Sequence, residues 1–257
     1  MKTLGISKLN KIRIKLKNSK PTIGTWQQIP DPSISEILAN AGYDWIAIDL
    51  EHGAINLNQL PNLFRAIEVS DCFPFARVSE PTQISCRQSL DAGAKGIIIP
   101  MIENSNQLEK LIASCCYPPK GNRGVGYTRS NIYGKNFDES IKENNPLIIA
   151  QIENINAVNN INEILLVDGL DAVIIGPYDL SASIDRTGEF SSAEYVSLIK
   201  KIREACIKNN IPYGCHIVQP YPKVLLEEIK QGSQFIAYGT DGVFLNQSSQ
   251  IPDLDYE

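Results

Sequence analysis

Short apolar runs recur along the chain at residues 22–26, 45–49, 73–77, 96–100, 147–153, 172–176, 212–217 and 235–238. Unbroken runs of this length are expected of strands buried on both faces, as in a parallel sheet covered by helices. The run at 147–153, Leu-Ile-Ile-Ala-Gln-Ile-Glu, ends in alternation. The strand period therefore puts Gln151 and Glu153 on one side, at the C-terminal end. Helical patterns lie between most of the runs. Asp31-Pro32 reads as an N-cap with proline at the first helical position. Ile34, Ile37, Leu38 and Ala41 follow at helix spacing, and Gly42 is the stop. Residues 83–92, 105–114 and 195–208 make further helices. Strands alternating with helices imply parallel pairing through right-handed crossovers. Eight such units close into an α/β (β/α)8 TIM barrel. The competing architecture, a doubly wound open sheet, has a glycine-rich turn after its first strand, whereas Gln27-Gln28-Ile29-Pro30 follows Trp26 here.

Ahead of the first run, residues 4–20 carry Lys8, Lys11, Arg13, Lys15, Lys17 and Lys20 interleaved with Leu9, Ile12 and Leu16. This pattern predicts an amphipathic helix that closes one end of the domain, in preference to a contact with an anionic surface. One connection is long and rich in glycine and proline: Tyr117-Pro118-Pro119-Lys120-Gly121-Asn122-Arg123-Gly124-Val125-Gly126-Tyr127. Connections of this kind are functional or mobile. The chain reads as one domain over 1–257, with the N-terminal helix within 1–20 and a polar tail over 247–257.

Composition narrows the function. A length of 257 residues suits one barrel. The chain is 43% hydrophobic and 21% charged, as in ordinary soluble proteins. A net charge of −5 argues against nucleic acid as a partner. No run approaches eighteen apolar residues, so no membrane span is expected, and no apolar run after Lys2 suggests a secretory signal. The six cysteines form no C-x-x-C pair. Scattered in this way they read as small buried hydrophobes in a reducing, cytoplasmic setting.

Polar residues gather at the C-terminal ends of the strands, where barrel enzymes place their sites. Strand two runs into Asp49-Leu50-Glu51-His52, strand three ends in Arg77, strand five in Gln151 and Glu153, and strand six in Gly176-Pro177-Tyr178-Asp179. Glu153 and Asp179 close neighbouring strands, so their carboxylates can converge on a hard divalent ion such as Mg²⁺ or Mn²⁺. Each alone fits a helix N-cap as well. His52 can act as a general base with a nearby carboxylate orienting its ring, or it is a turn histidine bonded to backbone. Arg77 needs an anion, from substrate or from an acid such as Glu80. Arg123 binds a substrate anion or makes an ion pair within its loop. With Tyr127, Arg129 and Tyr133 that loop suits a polyhydroxylated or anionic acceptor. His216, on strand seven, faces either the rim or the core. Absences also count. No lysine occurs from 144 through 198 or in 96–101, against a Schiff-base aldolase. Two histidines are too few for a zinc aldolase. No G-x-S-x-G, P-loop or strand-following G-x-G-x-x-G is present.

Several stretches, in order, resemble the HpcH/HpaI family of metal-dependent class II pyruvate aldolases. They are Gly24-Thr25-Trp26, Asp44-Trp45-Ile46-Ala47-Ile48-Asp49-Leu50-Glu51-His52, Arg77, Leu90-Asp91-Ala92-Gly93-Ala94, Ile99-Pro100-Met101, the 117–126 loop, Gln151-Ile152-Glu153 and Ile175-Gly176-Pro177-Tyr178-Asp179-Leu180-Ser181. The resemblance implies Glu153 and Asp179 as ligands of Mg²⁺, Mn²⁺ or Co²⁺, with His52 as the catalytic histidine oriented by Asp49. Arg77 would hold the reacting oxygen, Gln151 would contact pyruvate or a metal-bound water, and the Gly176 backbone, beside Pro177 and Tyr178, would receive the pyruvate carboxylate. Asp91 matches an acid that can reach a neighbouring subunit's site. The implied assembly is a homo-oligomer, hexamer or trimer, with its last helix swapped. The implied reaction is reversible cleavage of a 4-hydroxy-2-oxo acid to pyruvate and an aldehyde. Two alternatives keep the fold: decarboxylation of oxaloacetate through the same enolate, and a non-catalytic binding relative. The segment 214–220 departs from the small apolar run of better-known members, and the chain ends soon after Phe244-Leu245.

Overall fold

The structure, a computed structural model, describes residues 4–143 and 145–252. Eight strands, β1 (Thr22–Gln27), β2 (Trp45–Asp49), β3 (Phe73–Arg77), β4 (Gly96–Ile99), β5 (Leu147–Ile152), β6 (Ala172–Ile175), β7 (Tyr213–Ile217) and β8 (Phe235–Thr240), pair in chain order and close into a barrel. Every pairing is parallel, including β8 with β1. Around it lie α1 (Leu4–Lys17), α2 (Pro32–Asn40), α3 (Leu60–Val69), α4 (Gln83–Asp91), α5 (Ser105–Cys115), α6 (Phe137–Glu143), α7 (Ile155–Asn159), α8 (Ile161–Ile164), α9 (Pro177–Ala182), α10 (Ala193–Asn209), α11 (Pro222–Lys230) and α12 (Asp241–Ser248). The barrel expected from the strand runs is the observed one, with strand ends shifted by one or two residues.

Alternate residues of each strand separate two cores. Outward positions such as Ile46, Ile48, Ile97, Ile99, Ile148, Val173 and Ile175 pack beneath the helices. Inward positions, among them Trp45, Phe75, Ile98, Ile149, Ile174 and Phe235, fill the barrel. This explains the unbroken apolar runs, because both faces of every strand are dry. Trp45 stacks on Phe235 with centroids 4.3 Å apart and planes 4° from parallel. Burying each such ring is worth roughly 4–6 kcal/mol of gross transfer free energy. The stack requires Gly24, because a Cβ there would lie 1.9 Å from the Trp45 ring.

The N-terminal helix closes one end, as its pattern predicts. Ile12 and Leu16 of α1 join the cluster inside the barrel. Arg13 donates to Asp171 through Nε at 2.7 Å and Nη2 at 3.0 Å, and to the Pro146 carbonyl at 2.8 Å. Lys15 pairs with Asp44. Asp44, Pro146 and Asp171 stand just before β2, β5 and β6, so α1 lies across the N-terminal ends of the strands. The Asp31 cap is also as expected, its Oδ1 accepting from Ser33 N at 2.7 Å. At the other terminus α12 runs into the segment read as a polar tail, and residues 253–257 lie outside the described residues.

The long connection corrects an expectation. In a (β/α)8 barrel each helix returns the chain from the C-terminal to the N-terminal end of the strands. Residues 116–146 leave α5 and enter β5, so they belong to the N-terminal end. Arg123 there donates to Asp91, the last residue of α4, at 2.6 Å, and Arg129 donates to Glu68 of α3 at 2.5 Å. Within one chain this loop is remote from the strand C-termini and borders no acceptor space there. Among the described residues no helix is long and apolar enough to cross a membrane.

Candidate active site

The inward residues change character at the C-terminal ends of the strands. Above the apolar layers stand Trp26, Asp49, Arg77, Gln151 and His216, with Glu153 one residue beyond β5. Asp49 and Arg77 are cross-strand neighbours in register. Asp49 is fully buried, and its two oxygens take Arg77 Nε at 2.9 Å and Nη2 at 2.6 Å. Oδ2 also accepts from Gln28 Nε2 at 2.8 Å, and Oδ1 from the backbone N–H groups of Glu51 and His52 at 3.1 and 3.2 Å. Burial pushes the Asp49 carboxyl up, but these bonds and the guanidinium charge outweigh it and hold it below the usual range. The anions expected for Arg77 are therefore Asp49 and, at 3.2 Å from Nη1, Glu51. Glu80 is exposed and plays no such part. Asp49 fixes the loop backbone at His52, whereas the imidazole is 57% exposed with Nε2 3.9 Å from Glu51 Oε2.

Glu153 is 2% exposed. Its Oε1 accepts from Met101 N at 2.6 Å, and its Oε2 accepts from Gln151 Nε2. Met101 adopts a left-handed backbone, φ 51°, to present that N–H. Burial nevertheless lifts the Glu153 carboxyl to about 7, and the nearby charges of Glu51 and Asp179 push the same way. Burial likewise raises Glu51 to about 7, with Asp49 and Asp179 adding to it against Arg77. Neither predicted ligand is spent as a helix cap. Asn154 caps α7, accepting from Ala157 N at 2.8 Å, and Gly176 is the N-cap of α9, whose first turn carries Asp179. Gly176 is required by proximity, since a Cβ there would lie 2.7 Å from Glu153 Oε2. Its N–H donates to the Ile152 carbonyl at 3.2 Å. The backbone donors offered at this point are thus those of Tyr178 and Asp179, in the first turn after Pro177. The Tyr178 ring is 44% exposed and meets Phe190 edge-on at 5.1 Å.

A hard divalent cation fits this arrangement. The Asp179 charge adds to burial in raising the proton affinity of Glu51 and Glu153, and the Gln151 Oε1 is buried without a partner. Among the described residues no closed group of three or more His, Cys, Asp or Glu ligands exists. Glu153 and Asp179 are the all-oxygen donors that would hold such an ion.

Two residues emerge that the sequence did not assign. Glu51 lies two residues past Asp49, a spacing that could have marked it. His216 faces the barrel interior, its ring 5.5 Å from Trp26. Asp91 and Arg123, by contrast, pair with each other at the far end of the barrel, where the buried Arg123 also lies 4.7 Å over the Tyr117 ring. The cavity of about 450 Å³ against α1, lined in part by Arg13, Asp171, Tyr213 and Gln234, is at that far end too.

Comparison with known proteins agrees with this fold. The model of the HpcH/HpaI aldolase/citrate lyase family matches residues 22–247. A hydroxypyruvate/pyruvate aldolase of Roseobacter denitrificans is 32% identical, over 95% of this chain and 96% of its own. A 4-hydroxy-2-oxovalerate aldolase of Novosphingobium aromaticivorans is 34% identical, over 91% and 89%. The crystal structure of an HpcH/HpaI aldolase/citrate lyase family protein from Burkholderia cenocepacia superposes with a TM-score of 0.88 at 25% identity, covering 93% of this chain and 96% of that one. The chain belongs to the HpcH/HpaI aldolase/citrate lyase family, a family of carbon–carbon lyases.

Proposed function

We propose that this enzyme reversibly cleaves a 4-hydroxy-2-oxo acid to pyruvate and an aldehyde through a pyruvate enolate. The observation that supports this most is the group of buried carboxylates around Arg77 at the strand C-termini. Glu153 and Asp179 would hold a divalent ion, Mg²⁺, Mn²⁺ or Co²⁺, which would supply a Lewis acid to the reaction. Asp49 locks Arg77 from below, so the guanidinium keeps one orientation and meets the 2-oxo oxygen as charge builds there. Tyr178 and Asp179 N–H groups, beside Gly176 and Pro177, face the substrate carboxylate, and Gln151 orients the oxygens next to it. His52, exposed at the mouth, takes the proton of the 4-hydroxyl directly or through water. The C3–C4 bond breaks, its electron pair forms the C2–C3 double bond of the enolate, and protonation at C3 gives pyruvate.

Asp91 and Arg123 enter this reading only through a neighbouring copy of the chain in a homo-oligomer. The pairing of Arg123 with Asp91 at the far end takes both out of one chain's own mouth, which is the observation favouring a second reading, decarboxylation of oxaloacetate. The same enolate forms there, with CO₂ leaving in place of the aldehyde. Both are tested by measuring pyruvate release from a panel of 4-hydroxy-2-oxo acids and from oxaloacetate, with each metal and with EDTA. Turnover only on the hydroxy acids, abolished by EDTA, is the expected result. Metal-independent turnover would overturn the mechanism, and turnover on oxaloacetate alone would select the second reading.

A further inference from the structure

We infer that His216 is a specificity residue of this site, a neutral hydrogen-bond acceptor that selects 2-oxo acids carrying a hydroxyl beside the oxo carbon. The inference rests on the pyruvate-enolate reading for the position of the oxo group.

The inward positions of β7 are Gly214 and His216, and His216 lies in register with Ala237 of β8. Its ring is tilted 63° against Trp26, with centroids 5.5 Å apart. The same indole carries the Arg77 guanidinium 4.4 Å over its face. His216 and the group proposed to hold the 2-oxo oxygen thus share one aromatic neighbour. The ring is partly exposed, but Nε2 is buried and has no hydrogen-bond partner. Burial, helped by the Arg77 charge, lowers the imidazole to about 3, so the ring is neutral at any physiological pH. The Gly239 backbone beside the ring favours a proton on the other nitrogen, and Nε2 is then an acceptor. Trp26 Nε1, a donor, is likewise buried without a partner. Neighbouring rings therefore carry one unmet acceptor and one unmet donor. A hydroxyl, which both donates and accepts, is the substrate group that answers both. Ionised pyruvate cannot, because its carboxylate and ketone oxygens only accept and its methyl does neither. A leucine would complete this apolar wall of Trp26 and Ala237 without leaving a polar atom unmet, so the imidazole has no packing reason to be there.

The test is calorimetric and does not depend on turnover. Protein loaded with Mn²⁺ is titrated with pyruvate and with 3-hydroxypyruvate, as wild type, His216→Leu and His216→Gln. The wild type is expected to prefer 3-hydroxypyruvate by about three- to tenfold, the worth of one hydrogen bond. His216→Leu brings that ratio to about one, and His216→Gln, whose amide oxygen reaches about as far as Nε2, keeps most of it. Thermal melts without ligand establish that the variants fold. A wild type with no preference, or a His216→Leu variant that keeps it, overturns the inference. The aldolase reading fails by a separate result, the absence of pyruvate release from every hydroxy acid, while the binding preference persists.

Discussion

The two ends of the barrel use their charges in opposite ways. At the N-terminal end acids and bases are matched: Arg13 with Asp171, Lys15 with Asp44, Arg123 with Asp91, Arg129 with Glu68. At the C-terminal end Asp49, Glu51 and Glu153 gather around one cation, Arg77, with Asp179 close to the two glutamates, and those two are pushed to about 7. Matched pairs close a fold. A surplus of one sign, held in place by burial and by backbone donors such as Met101 N, is a site prepared for a partner of the other sign. The difference teaches that the number of ionisable residues at an end says little, and their imbalance says much.

The strongest way to break this comparison is to remove the one cation at the mouth. Arg77→Met leaves Asp49 buried and unpaired, and should lower stability by about 3–5 kcal/mol and kcat/KM by at least about 10³. A melt near that of wild type, with activity kept, would contradict the assignment. Next, removing an acid should have opposite effects at the two ends. Asp171→Asn disturbs bonds from Arg13 and from Ile148 N and should cost about 1–3 kcal/mol with kcat/KM within about twofold of wild type. Glu153→Gln should abolish metal-dependent activity yet raise the stability of the metal-free protein at pH 8, by up to about 3 kcal/mol. Parallel urea titrations decide the matter, and destabilisation by both changes would erase the contrast.

The same buried carboxylates set a pH dependence. Glu51 and Glu153 have folded values near 7, above the ordinary 4.5. A group raised on folding binds its proton more tightly in the native state. The stability it contributes is complete below the unfolded value and is lost as pH rises through the folded one. Metal-free protein should therefore lose urea resistance between pH 4.5 and 7 and level off above. Saturating Mn²⁺ competes with those protons and should flatten or reverse the slope. A flat metal-free profile would show that the carboxylates do not share one field.

Much of this was legible in the sequence, for identifiable reasons. Barrel strands are dry on both faces, so their runs stand out, and the period of 2 alone places Gln151 beside Glu153. The α1 pattern likewise announced a helix with one apolar stripe. What stayed hidden depends on register and on which end of a strand a loop serves. Nothing local says that Asp49 is cross-strand to Arg77, which is why Glu80 looked like a fair partner. Whether His216 points in or out turns on the placement of β7 between β6 and β8. The position of Arg123 was readable in principle, since a loop between a helix and the next strand belongs to the N-terminal end. The chemistry of its side chains drew attention away from that topology.

The α1 cap bears on the order in which the molecule is made. Its residues leave the ribosome ahead of the barrel, and the acid that receives Arg13 lies 158 positions later. At ordinary rates of synthesis that interval is roughly 8–30 s. Until β5 and β6 exist, Ile12 and Leu16 have no barrel interior to enter, and the helix waits as an exposed amphipathic segment. A segment translated ahead of the barrel is thus among the last to be seated, and it seals an end that forms only after it.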